Sequence, residues 1–301
     1  MADISSRVAL VTCSELPGAD GDTRLLFDPL EAHRVEAVPA VWDDPSVDWS
    51  SFDLSVVRSC WDYPTRRSEF VSWAARVPRL ENPARVLEWN TDKRYLAELS
   101  ARGIPVISTT WVRPNDIWQP PGEAQYVIKP AVSLSALDSG RYDLGDAAQR
   151  RLAARHVRRL QAAGRTVMVQ PYMTRIDDHG ETSLVFIAGW FSHAMRRGAV
   201  LDGPDRGVDK RFTPDGGLDL RRREPSPEEM ALAQRTLDVI PGADRLLYAR
   251  VDLVLGGEGT PLVMEVELTE PHLYLGMVPE AIDRFAAAIA VRARAADYAA
   301  F

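Results

Sequence analysis

Between Arg250 and Glu267 the chain carries three carboxylates and a guanidinium at spacings that bring them onto one surface. In "VMEVELTEPH", Val263 to His272, strand alternation sends Glu265 and Glu267 to one face and Met264, Val266 and Leu268 to the other. Upstream, "ARVDLVL" puts Arg250 and Asp252 on one face and Val251, Leu253 and Leu255 on the other. The stretch "GGEG" between them reads as the turn of a hairpin. With that turn centred between Glu258 and Gly259, Asp252 lies opposite Glu265 and Arg250 opposite Glu267. Carboxylates crowded within a few Å do not all stay ionised unless a cation joins them. A solvated strand face with one Arg–Glu pair is the plainer reading of an isolated "E-x-E". The conjunction with "R-x-D" favours a metal site made of Asp252, Glu265 and Glu267. These ligands are all oxygen, with no cysteine or histidine cluster beside them, which suits Mg²⁺ or Mn²⁺. Such an ion completes its shell with waters and substrate phosphates.

The cations are unusual too. Of 36 Lys and Arg residues only Lys93, Lys129 and Lys210 are lysine. If the bias reflects a GC-rich genome, the lysines that persist are those whose compact ammonium a guanidinium fork does not replace. In "NTDKRYLAELSARG", Asn90 or Thr91 is predicted to cap a helix. Tyr95, Leu96 and Leu99 recur along it at helical spacing, and Gly103 ends it. Lys93 then falls in the first turn, where a cation opposes the helix dipole and points to an anion nearby. Lys129 sits on the strand "YVIKPAV", before the small-residue loop "SLSALDSGRY". Lys210 lies in the Gly-, Asp-, Pro- and Arg-rich segment 196–223, which is predicted to be a long loop.

Elements that could position these groups are legible along the chain. The runs "RVALVTC", "VEAVPAVW" and "DLSVVRSC", with a helix over "DTRLLFDPLEAH", predict an α/β fold that begins with a parallel sheet. In such sheets ligands gather at the carboxyl ends of strands, here "TCSELPGADGD" and "RSCWDYP". Strands are predicted over "IPVISTTWV" and "TVMVQPYM", and a basic helix over "DAAQRRLAARHVRRLQAAG". A hairpin in "SLVFIAGWFSHAM" turns at Ala188-Gly189, a helix follows near 227–240, and an alanine-rich helix closes the chain. At 301 residues and 46% hydrophobic the chain buries a large core. It has no apolar run of the ~18–20 residues that cross a bilayer, and "MADISSRVALVTC" does not read as a signal peptide. Two cysteines, Cys13 and Cys60, are expected as reduced thiols in the cytoplasm. A net charge of -7 argues against nucleic acid as a partner.

From "LEWNTDKRYLAELSARGIPV" to "EVELTEP", these parts resemble, in order and spacing, the ATP-grasp superfamily of carboxylate–amine ligases. The resemblance implies an ATP-grasp fold behind an N-terminal parallel α/β domain, with boundaries at 1–85, 86–171 and 172–301. It implies ATP as cosubstrate, with Mg²⁺ or Mn²⁺, and matches Lys93 and Lys129 to the phosphate-binding lysines. Ser133 and Ser135 match the loop over the phosphates. Gln170, Pro171, Tyr172 and Met173 match the adenine hinge, and Glu181 the acid that contacts ribose. Arg250, Asp252 and Glu265 match the "R-x-D" and "E-x-N" motifs, and Lys210 the lysine on a mobile loop, with Arg250 and Lys210 as catalytic cations. Glu267 departs from the usual asparagine, Gln170-Pro171 from a more acidic hinge, and the phosphate loop lacks a run of glycines.

The chemistry implied is activation of a carboxylate as an acyl phosphate, followed by attack of an amine. The substrate, a small amino-acid-like molecule, is expected between the N-terminal strand ends and the segment after the metal strand. The candidates there are Ser59, Asp62, Tyr63, Thr269, Glu270, His272 and Tyr274. The stretches "CWDYP", "EWNTDK" and "EVELTEP" resemble ring-closing members of the superfamily, which implies intramolecular closure of an O-substituted D-serine. The alternatives are an intermolecular dipeptide- or glutathione-forming ligase and a non-catalytic nucleotide-binding regulator. A homodimer is compatible with the sequence.

Overall fold

The computed structural model describes residues 4–207 and 219–295. The chain opens with β1 (Ser6–Thr12), α1 (Gly21–Arg24), α2 (Phe27–Ala32), β2 (Val35–Val41), β3 (Leu54–Ser59), α3 (Arg67–Ala74) and β4 (Leu80–Glu81). The strands form a parallel sheet in the order β2-β1-β3-β4. β3 is buried along its whole length and β1 along nearly all of it, because both faces are covered, which is why they read as unbroken apolar runs. The helix expected over "DTRLLFDPLEAH" is two short ones instead. Asp20 caps the first by accepting from the Asp22 amide, and Asp22 has a distant partner described below.

Two helices follow, α4 (Ala84–Asn90) and α5 (Tyr95–Ala101), then β5 (Thr110–Val112), β6 (Gln125–Pro130), β7 (Gly140–Asp143), α6 (Ala147–Ala162) and β8 (Val167–Pro171). Here the expectation for Asn90, Thr91 and Lys93 is corrected. Asn90 ends α4 rather than capping α5, and Lys93 lies in the link before Tyr95, not in a first turn. The strand expected over "IPVISTTWV" shortens to three residues. An antiparallel sheet β5-β8-β6-β7 carries α6 on one face, through Ala153, Val157 and Leu160.

The rest comprises α7 (Ile176–His179), β9 (Glu181–Ile187), β10 (Trp190–Arg197), β11 (Leu220–Arg222), α8 (Pro227–Asp238), β12 (Tyr248–Leu255), β13 (Pro261–Glu267) and α9 (Pro279–Arg294). β9 and β10 turn at Ala188 and Gly189, both at positive φ as a two-residue hairpin needs. The antiparallel sheet runs β11-β10-β9-β12-β13. Its apolar face, with Leu184, Phe186, Val251 and Val266, packs among Leu96, Leu99, Leu232 and Leu237 of α5 and α8. That burial fixes the register, because a one-residue slip would bury the charges on the alternate positions. Glu181, Ser183, Arg250, Asp252, Glu265 and Glu267 are thereby assigned to the other face.

β13 is an edge strand whose outer backbone is closed at Val263 by the backbone of 105–107 and farther along by side chains. Asn90 donates to Val266 O at 2.7 Å and accepts from Leu268 N at 2.8 Å. The Tyr95 hydroxyl bonds both Val266 N and Val266 O at 2.9 Å. Asn82 donates to Tyr248 O and Leu268 O and accepts from Leu247 N. Replacing Asn90 by alanine orphans the buried Leu268 amide, while Val266 O keeps the Tyr95 hydroxyl as donor; one orphaned buried group costs about 1–3 kcal/mol. Asn90→Ala is therefore expected to lose about 1–3 kcal/mol in denaturant unfolding; a loss below about 0.5 kcal/mol would show that water replaces the amide.

Candidate active site

β12 and β13 pair in the register that places Arg250 opposite Glu267 and Asp252 opposite Glu265. The turn centres on Glu258, half a residue earlier than expected, with Gly256 N donating to Thr260 O, but a bulge after Asp252 shifts the register by one and restores the pairing. Ser183 of β9 lies beside Asp252, and Glu181, two residues earlier, faces Arg197 of β10.

Every carboxylate on this face but one is held by a basic side chain. The Arg250 fork donates from Nε and Nη2 to both Asp252 oxygens at 2.9 Å, and Nη2 reaches Glu267 Oε1 at 2.5 Å. Lys93 Nζ lies 2.8 Å from Glu265 Oε1 and also donates to Ser133 O. Arg197 pairs with Glu181 at 2.9 Å. Glu270, in the loop after β13, makes no ion pair among the described residues; Lys93 and the Tyr63 hydroxyl act on it electrostatically. Among the described residues no three acids, histidines or cysteines already form a metal shell, because Arg250 and Lys93 occupy the oxygens that would provide one.

The charges perturb one another. Burial acts to raise Glu265, but Lys93 and Lys129 together hold it below the usual carboxylate range. Burial likewise opposes a low value at Asp252, and Arg250 overrides it. Glu267 is pushed up to about 7 by burial and by Asp252 and Glu265, against Arg250. Glu270 is pushed up to about 8 by burial and by Glu267, against Lys93. Lys129 is lowered by burial and by neighbouring Lys93, with Glu265 opposing. The face thus carries more carboxylate than its lysines and arginines balance, an environment that favours an added divalent cation.

Around this cluster lie the residues expected to hold nucleotide. Ser133 begins a loop in which Ser135, Ala136 and Asp138 take positive φ without glycine. Asp138 fixes that loop by accepting from Arg159 at 2.8 Å and Arg165 at 2.5 Å. Gln170 turns inward to Thr109 Oγ1 at 2.9 Å, while Pro171 is exposed and Tyr172 and Met173 are half-buried. Tyr172 donates its hydroxyl to Asp177, and its ring lies 3.5 Å from the Arg141 guanidinium. After β10 the chain crosses to the loop's far end, where Gly203 O accepts from Arg141 N and Asp205 N donates to the Tyr142 hydroxyl. Lys210 lies outside the described residues.

The substrate candidates divide. Ser59 donates to Thr12 Oγ1 at 3.1 Å, and Asp62 accepts from Trp42 Nε1 at 2.9 Å, so both are used within the N-terminal sheet's own packing. Thr269 is buried against Asn90 Oδ1. Tyr63, after β3, and Glu270, after β13, each perturb the other electrostatically. His272 Nδ1 accepts from Tyr274 N, and Tyr274, at φ 55°, lies with its ring 5.6 Å from the Arg250 guanidinium.

This loop is held by residues that carry no sequence signal of their own. Asp22 accepts from Leu273 N at 3.1 Å and Gly276 N at 3.2 Å. Arg58 donates to Pro271 O at 3.0 Å, His193 Nε2 lies 2.8 Å from Leu273 O, and Arg250 donates to His272 O at 3.0 Å. Asp22 does sit at the carboxyl end of β1, where ligands were expected to gather, but its partners are some 250 residues away.

Residues 8–87 match the family described as D-cycloserine synthetase DcsG, N-terminal domain. The chain is 37% identical over 305 residues to the cycloserine biosynthesis protein DcsG of Streptomyces lavendulae, covering 95% of this chain and 98% of that protein. A crystal structure of D-cycloserine synthetase DcsG is similar at a TM-score of 0.82 and 34% identity, covering 96% of this chain and all of that one. D-alanine–D-alanine ligase from Bacillus anthracis complexed with ATP shares the fold at a TM-score of 0.63 and 13% identity, over 96% of this chain and 97% of its own.

Proposed function

The chain belongs to the D-cycloserine synthetase family of ATP-grasp ligases, and from that premise we propose that it closes the ring of an O-substituted D-serine such as O-ureido-D-serine. It is an ATP-dependent ligase. In the proposed reaction the substrate carboxylate becomes an acyl phosphate, and the substrate's own nitrogen displaces phosphate. The observation that carries the reading is the cross-strand register that gathers Asp252, Glu265 and Glu267 beside Lys93.

Phosphoryl transfer depends on positioning and charge neutralisation more than on covalent help. Lys93 and Lys129 act as point charges on the ATP phosphates, and the Ser133–Ser135 loop covers them. Arg250 steadies the transferring phosphoryl group and the oxyanion that follows. Gln170 to Met173 border adenine, and Glu181 the ribose. The segment with Lys210 closes over the acyl phosphate and excludes water. Asp252, Glu265 and Glu267 would hold Mg²⁺ or Mn²⁺; bound there, the ion neutralises phosphate charge. We divide the chain at 85 and 171 into an N-terminal domain, a lid and a catalytic body. Two buried free thiols support a cytoplasmic setting, and we leave a homodimer as compatible with the fold.

The test is ADP release with Mg²⁺ and amino acids or O-substituted D-serines, singly and in pairs. Turnover with one substrate alone, with loss of its free nitrogen, is expected; a requirement for a second amine would mark an intermolecular ligase. AMP and pyrophosphate as products would contradict an acyl phosphate.

A pH dependence follows from the crowded acids. Glu267 and Glu270 stand at about 7 and 8, above their ordinary 4.5, so the folded protein holds their protons more tightly than the unfolded chain. Their contribution to stability is complete below 4.5 and is lost as pH rises through 7 to 8. Metal binding displaces such protons and gains up to about 1.4 kcal/mol per pH unit for each. The rise in melting temperature given by Mg²⁺ and ATP should therefore grow from about pH 6 to about pH 8.5. A rise that shrinks over that range would contradict the assignment.

A further inference from the structure

The segment that leaves β10 is seated as a strap on the sheet that carries α6. Gly203 O accepts from Arg141 N at 2.8 Å, across the open edge of β7, and Asp205 N donates to the Tyr142 hydroxyl at 3.2 Å. The fit is close: a Cβ added at Gly140 would stand 2.5 Å from Asp205 N and 2.8 Å from the Tyr142 hydroxyl. The Asp205 carboxylate accepts from Gly207 N at 2.9 Å and from Arg159 Nη2 at 2.6 Å. Arg159 Nη1 donates in turn to Asp138 at 2.8 Å, and Asp138 also accepts from Arg165. One guanidinium thus joins the strap to the loop that begins at Ser133.

A donor in this cluster is left unmade. The Tyr142 hydroxyl accepts from Asp205 N, so its own proton is free for His156 Nδ1, 2.8 Å away. An Nδ1 that accepts carries no proton, and in the neutral ring the proton is then on Nε2. Burial holds the imidazole below the usual histidine range, with Asp205 opposing, so the ring is neutral at pH 7. Nε2 is buried and has no hydrogen-bond partner among the described residues; it lies 3.7 Å from Asp205 Oδ2. That is well beyond the ~2.9 Å of an N–H···O bond, and a buried donor without an acceptor is costly. A short movement of the strap would complete it.

We propose that the strap has a second, tighter seat in which Asp205 Oδ2 accepts the His156 Nε2 proton in a hydrogen bond, and that bound nucleotide draws it there through Asp138 and Arg159. The inference rests on the reading above that the Ser133–Ser135 loop covers the ATP phosphates. Drawing that loop toward the phosphates moves Asp138, and the Arg159 fork carries Asp205 with it. Asp205 is then a positioning residue, acting through the loop and strap that it holds together. Gly140 is required because the tighter seat leaves still less room for a side chain beneath the strap.

The experiment is an NMR titration of the whole ¹⁵N-labelled protein with Mg²⁺ and a non-hydrolysable ATP analogue, reading the imidazole N–H signals, with His156 assigned by its loss in His156→Gln. The free protein should carry the His156 proton on Nε2. At saturation that signal is expected to move downfield and its exchange with water to slow by about tenfold, as one hydrogen bond to a charged group gives. Asp205→Ala should abolish the shift and weaken analogue binding by about tenfold, and Asp205→Asn, which keeps one acceptor oxygen, should fall between. Gly140→Ala should resemble Asp205→Ala although it changes no charge. A His156 signal unmoved by saturating analogue would overturn the proposal. So would a proton on Nδ1, or a wild-type shift and affinity in Asp205→Ala. If the wild-type protein binds no analogue, the nucleotide reading fails instead. A fluorescence melt identifies any variant that does not fold, and the wild-type titration decides the matter without the variants.

Discussion

Glu265→Gln is expected to lower turnover by at least about 10³ while leaving a cooperative, folded protein. Glutamine keeps the volume of the side chain and an oxygen that accepts from Lys93, which sits 2.8 Å away. It removes the charge that Lys93 and Lys129 both neutralise and that sits opposite Asp252 across the hairpin. Glu267 and Glu270 remain near Lys93, so its ammonium is not stranded. The loss should appear already in the phosphoryl-transfer step that precedes ring closure. Steady-state ADP release at saturating ATP measures it. Activity within tenfold of wild type would remove Glu265 from the metal and phosphate machinery.

Arg250→Ala should be the most damaging change in the site, because it acts on two levels. The guanidinium is buried and joins Asp252 through Nε and Nη2, Glu267 through the same Nη2, and the His272 carbonyl through Nη1. Removing it leaves the buried Asp252 and the half-buried Glu267 without that cation and frees the loop that carries Tyr274. Breaking a buried ion pair from one side costs about 3–5 kcal/mol, and losing a donor to a developing oxyanion costs about 10²–10³ in rate. Arg250→Lys separates the levels. A lysine retains the charge but not the fork, so stability should recover in part while the rate stays low. Wild-type kcat in Arg250→Lys, with a normal denaturant midpoint, would show that the guanidinium only holds the loop.

How far the sequence disclosed the site varied with the range of the interaction. Alternation along two strands was enough to place Arg250, Asp252, Glu265 and Glu267 on one face, since that period is local. The register across the hairpin came out as expected although a turn centred on Glu258 and a bulge after Asp252 both went unseen, and their offsets cancel. Lys93 was read as a cation beside an anion, and Glu265 is that anion, but its helical setting was misplaced. Asn90 looked like a cap because asparagine favours caps, whereas its amide closes the edge of a strand 176 residues away. Asp22, Arg58 and His193 are of the same kind. Each bonds backbone of the 271–276 loop from a distant element, and nothing in local composition reports such a partner.

The central claim is that acids on β12 and β13 gather divalent metal under the phosphates of ATP. The most direct measurement is a crystal structure with Mn²⁺ and a non-hydrolysable ATP analogue, with the metal located by its anomalous signal. The account predicts a peak bonded to Asp252, Glu265 and Glu267 and to phosphate oxygens, with Lys93 and Lys129 turned to the phosphates. Nucleotide bound with no peak there, and with Lys93 still on Glu265 and Arg250 still spanning Asp252 and Glu267, would contradict it.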